Sequence, residues 1–163
     1  MKDEMKSALE TAMDEFDQKR ADAAKRQEAT RTKETGFSHT VERLFKEVVR
    51  PAMEKVKNTL GQRNHDCKII EEKQTATTDM HQHAAHISLT INPAPRTGGG
   101  YTMMASRTIC FAAVRHEGKI VVGTTSSLPI RQVEGVRGSY EPSQLSPAEV
   151  EKQLVAFVKE VFA

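Results

Sequence analysis

With 163 residues, 37% of them hydrophobic, and a formal net charge of +2, the chain has room for one domain with a core plus a polar appendage, and not for two ordinary domains. The charge is too mild to argue for a nucleic-acid partner, and no run approaches the ~20 apolar residues of a membrane span. The opening MKDEMKSALE carries acids where a secretory signal needs an apolar stretch, so a cytoplasmic location is expected.

Residues 2 to 34 lack Gly and Pro and are rich in Ala, Glu, Lys, Gln and Asp, a composition that favours helix. Met5, Leu9, Ala12 and Phe16 follow a 4-3-4 spacing, the seam of a short coiled coil. Continuing that register lands on Lys19, Ala23, Arg26, Thr30 and Lys33, so the seam ends after two heptads. The helix is also charge-polarised. Asp3, Glu4, Glu10, Asp14, Glu15 and Asp17 dominate its first half; Lys19, Arg20, Lys25, Arg26, Arg31 and Lys33 dominate its second. Acids at a helix N-terminus and bases at its C-terminus suit the helix dipole; antiparallel pairing of two copies, acidic heads on basic tails, would use the same polarity. This segment, 1–35, is read as a polar arm for oligomerisation, and Met5, Leu9, Ala12 and Phe16 as its interface.

Gly36 is expected to break the helix and Ser38 to cap a second one over 39 to 62. Val41, Leu44, Phe45, Val48, Val49, Ala52, Met53, Val56 and Leu60 give that helix a broad apolar face, and Pro51 should kink it, because its ring crowds the carbonyl of Glu47. Strands follow near 66 to 72, 83 to 91, 102 to 116 and 119 to 126. The second alternates, with Ala85, Ile87, Leu89 and Ile91 on one face and His86, Ser88 and Thr90 on the other. The third is apolar on both faces, as a central strand covered on both sides should be. A two-residue hairpin at Glu117 and Gly118 should join strands three and four, and a short edge strand is expected near 130 to 134 or 137 to 141. In the last helix Ser146, Pro147 and Glu149 form a capping box, with Leu145 and Val150 at the staple positions. The domain 36–163 is thus α+β: an antiparallel meander of four to five strands packed by helices, in the order α-α-β-β-β-β-(β)-α.

Three histidines, His81, His83 and His86, crowd the entrance to the second strand. In a strand, His81 and His83 share a face and His86 takes the other. An antiparallel meander brings the same sheet end to His116, so the feasible metal set is His81, His83 and His116, with Asp79 as a further ligand. Zinc or another divalent transition metal would be the cofactor if there is one, although the spacing matches no closed zinc signature. Arg96, beside the Gly98–Gly100 run, and Arg131 and Arg137 in the late loop would line an anionic ligand's pocket if the loops met. His65 and Cys67 stand two apart on one strand face, the spacing of an activated thiol, against the simpler reading of a buried cysteine. Cys67 and Cys110 form no CxxC pair, and reduced packed thiols are expected.

No catalytic constellation stands out, and with two Tyr and no Trp there is no aromatic face for single-stranded nucleic acid. The reading is a non-catalytic binding or protein-interaction protein without a cofactor, which self-associates, as a dimer for preference. The alternative is a small-molecule or metal-dependent enzyme working at the sheet end that carries His81, His83 and His116.

Overall fold

The computed structural model describes residues 2–73, 85–95, 106–125 and 135–163, and the chain divides into two compact units after Gly36. Helix α1 (Lys2–Leu44) passes into a π-helical turn (Phe45–Val49) and then α2 (Arg50–Gly61). The expected break at Gly36 does not occur, and Ser38 lies inside α1 instead of capping a new helix. A glycine within a helix costs only about 1 kcal/mol relative to alanine. The neighbouring threonines are helical too, and the hydroxyls of Thr32 and Thr35 donate to the carbonyls of Glu28 and Arg31, both at 2.9 Å, so neither competes for the chain outside the helix.

Pro51 does leave a mark, one turn before itself. Arg50 donates its N–H to the carbonyl of Phe45, five residues back, and this wider turn eases the contact between the ring and the carbonyl of Glu47. The distortion is therefore a π turn at Phe45–Val49. Beyond Gly61 the chain reverses through a Schellman arrangement: the His65 N–H reaches the Leu60 carbonyl at 3.1 Å, the Asn64 N–H reaches that of Gly61 at 3.1 Å, and Asn64 takes a positive φ of 65°.

Five strands follow, β1 (Asp66–Glu72), β2 (His86–Asn92), β3 (Arg107–Val114), β4 (Lys119–Thr125) and β5 (Val136–Tyr140). They form one antiparallel sheet in the order β1-β2-β3-β4-β5, so the expected α+β meander with its central third strand is present. The turn between β3 and β4 differs from the two-residue hairpin. Val114 pairs with Lys119, leaving the four-residue loop 115–118. In it the Glu117 and Gly118 N–H groups donate to the carbonyls of Val114 and Arg115, and Gly118 adopts a φ of +63°; longer hairpin loops of this kind commonly end on a left-handed residue.

Alternation puts Cys67, Ile87, Leu89, Ile91, Ile109, Phe111, Ile120 and Val122 into one buried cluster with Val41, Phe45, Val49 and Met53. The last helix, α3 (Pro147–Val161), completes it with Val150, Leu154, Phe157 and Val161. Ser146 caps α3, its hydroxyl accepting the Glu149 N–H at 3.3 Å. The reciprocal half of the expected capping box is replaced: the Glu149 carboxylate accepts the Tyr140 hydroxyl at 3.4 Å, tying β5 to the helix start. A capping box forms instead one turn earlier, between Glu141 and Gln144 around a short 3-10 turn. Arg137, on β5, is hydrogen-bonded by its two terminal nitrogens to the two carboxylate oxygens of Glu160 on α3, with its guanidinium 6.0 Å from the Phe157 ring centroid.

Candidate functional site

On α1, Met5, Leu9 and Phe16 are 64%, 58% and 65% exposed, and Met13 beside them is exposed as well. At 100° per residue, Met5, Leu9, Ala12 and Phe16 fall within about 60° of arc, so they form one stripe. Every residue from Asp3 to Lys33 is solvent-exposed, and the only buried residue of α1 is Val41. Helix formation here therefore draws on composition, and nothing in the described chain covers the stripe. The four residues expected at an interface share one surface.

The histidine end of the sheet is only partly described. His116 sits in the β3–β4 loop, exposed, with Nε2 3.7 Å from a carboxylate oxygen of Glu117. His81, His83 and Asp79 lie outside the described residues, as do Arg96 and Arg131. Among the described residues no group of three His, Cys, Asp or Glu side chains is placed to hold a metal ion. Arg137, the remaining member of the anticipated anion set, is engaged by Glu160. Its hydrogen bond to that carboxylate holds the Arg137 guanidinium above its ordinary value and the Glu160 carboxyl below its own.

His65 and Cys67 do not form an activated pair. The ring of His65 is a structural bracket: Nδ1 accepts the Ala94 N–H at 3.0 Å, and the ring lies 4.6 Å from that of Phe162. Cys67 is buried, and burial, with the charge of Asp66 beside it, pushes its thiol up. Cys110 is pushed up to about 12 by burial alone. Both thiols are free and are held in the unreactive protonated form.

The sheet face opposite the helical cluster has its own chemistry. His86, Ser88, Thr108 and Cys110 are buried there, and register aligns Ser88 with Cys110 and Gly123, and Thr90 with Thr108. The threonine hydroxyls are 2.8 Å apart, the Ser88 hydroxyl donates weakly to the Ile70 carbonyl at 3.5 Å, and His86 Nε2 lies 3.7 Å from a Glu72 carboxylate oxygen. The alternation of His86, Ser88 and Thr90 announces these as the second face; their burial depends on the fold.

Sequence reading did not anticipate a groove of about 350 Å³ between α2 and α3, with Val56, Leu60, Leu154, Val155 and Val158 in its lining. Lys55 and Glu151 approach to 3.8 Å across it. Val155 is the signal, a large apolar residue off the buried α3 stripe that stays exposed.

No protein-family model, no curated protein and no solved structure matches the chain. Among the described residues no helix is long and apolar enough to cross a membrane.

Proposed function

We propose that this chain is a non-catalytic interaction protein that self-associates through its N-terminal helix. The observation that carries the reading is the exposure of Met5, Leu9 and Phe16 on one stripe of a polar helix. Single exposed apolar residues are ordinary, but a stripe at coiled-coil spacing gains free energy by packing against another helix. The rest of the described chemistry fits a structural domain: the two thiols are protonated, His65 accepts the Ala94 N–H, and Arg137 is joined to Glu160.

The test is native mass spectrometry and sedimentation velocity on the full chain, beside the double variant Leu9→Asp/Phe16→Asp. The expected result is a dimer that becomes a folded monomer in the variant, because two carboxylates per helix would have to be buried in the seam. A variant that keeps the parent's mass overturns the proposal. The same spectra would reveal a metal or small molecule retained one per chain, which would move the reading to the His81, His83 and His116 end of the sheet.

A further inference from the structure

We infer that the partner of the N-terminal helix is a second copy running antiparallel, with the two seams superposed about a centre between residues 10 and 11. The inference rests on the self-association just proposed. Met5, Leu9, Ala12 and Phe16 take successive d and a positions of a heptad frame. In that frame Asp3, Glu4, Glu10, Asp14 and Asp17 occupy b, c and f positions, away from the seam, and the sixth acid, Glu15, takes a g position that faces the partner's Ala8 and no second acid in the antiparallel pair, so the acidity of this half does not oppose close approach.

Three arrangements compete. A parallel, in-register pair sets Ala12 on the partner's Ala12 and Phe16 on the partner's Phe16, a gap beside a crowded layer. It also carries Lys19, Arg26 and Lys33, the next d positions, onto copies of themselves. An antiparallel pair that lays the whole acidic half on the basic half puts Phe16 opposite the partner's Lys19 and Leu9 opposite the partner's Arg26, so charged side chains cover the apolar stripe. Burying Met, Leu and Phe side chains outweighs an exposed, screened ion pair several-fold, which disfavours this register.

The antiparallel pair with superposed seams sets Phe16 against the partner's Met5 and Leu9 against the partner's Ala12, so no layer pairs two alanines or two phenylalanines. The overlap of residues 2–19 is about 27 Å long at 1.5 Å per residue. Each basic stretch then extends past the partner's N-terminus, which removes Arg26 and Lys33 from the seam. Asp3, at b, lies on the same side of the pair as the partner's Arg20, at e, so one charge-complementary contact is retained at each end. Its one unfavourable contact is Lys2 opposite the partner's Lys19, at the exposed ends where water screens it.

The experiment uses full-length variants that each carry one added cysteine, in pairwise mixtures with a short bifunctional maleimide, read by mass, with sedimentation of each uncrosslinked mixture alongside. The native Cys67 and Cys110 are buried and react slowly. Ala8→Cys mixed with Glu15→Cys places the thiols at facing g positions of the antiparallel pair. In a parallel pair they would be about 10 Å apart along the axis. Glu15→Cys mixed with Arg20→Cys places thiols side by side only in a parallel pair. The first mixture is expected to give the mixed cross-linked dimer and the second none. A link in the second mixture, or a sedimenting dimer with no link in either, overturns the orientation while self-association stands. Monomer throughout brings down both.

Discussion

Replacing Leu9 by Ala tests the seam with the least disturbance to the chain itself. Leu9 is 58% exposed and touches no core, and alanine is at least as good a helix former, so the α+β domain should melt unchanged. The variant loses three carbons. At about 0.8 kcal/mol each, scaled by the exposed fraction of 58% that a partner would newly cover, this is about 1.4 kcal/mol per chain. Both chains of a dimer lose it, about 2.8 kcal/mol together, which weakens association about 100-fold. Sedimentation equilibrium over a concentration series reads that change directly, and a thermal melt of dilute samples reads the domain. A dissociation constant within about threefold of the parent's would refute the seam. A large fall in the domain's melting temperature would refute the claim that Leu9 lies outside the folding core.

Phe157, 1% exposed, anchors α3 in the core, and Phe157→Ala should cost about 3–5 kcal/mol in urea unfolding; a loss below about 1 kcal/mol would mean that the helix repacks freely. The hydrogen bond from Arg137 holds the Glu160 carboxyl below its ordinary value. A depressed folded-state pKa stabilises the fold above the ordinary carboxylate value, and the contribution disappears as pH falls through the lowered one. Glu160→Gln should therefore remove part of the acid limb of the stability profile, and a limb unchanged in the variant would contradict the pairing. With Cys110 pushed up to about 12 and Cys67 raised as well, iodoacetamide at mildly alkaline pH should modify both only after unfolding. Alkylation of Cys110 in the native protein would show that its side of the sheet opens to solvent.

The elements that could be read from sequence are those whose hydrophobic pattern has one period. Ala85, Ile87, Leu89 and Ile91 alternate against His86, Ser88 and Thr90, and all four of the first set are buried. The cap at Ser146 was visible because its chemistry is local to four residues. The misreading at Gly36 has a local cause: a propensity of about 1 kcal/mol gives way when the surrounding segment favours helix. At Pro51 the sequence marked the place of the distortion, and the backbone takes it up in a π turn. The Glu117–Gly118 hairpin failed because turn length depends on the register of β3 with β4, which alternation alone leaves open.

Composition and spacing by themselves determined that residues 2 to 34 are helical, that one stripe of them is apolar, and that a meander with a central β3 follows. These depend on neighbours within a few positions. Tertiary structure decided what lies across from what: that Arg137 meets Glu160, that His65 supports the Ala94 N–H, that Ser88 and Cys110 are buried side by side, and that α2 and α3 leave a groove between them. Such partners are far apart in the chain, 23 residues for Arg137 and Glu160 and 29 for His65 and Ala94, with the two walls of the groove farther apart still, and only packing of the whole core brings them within reach.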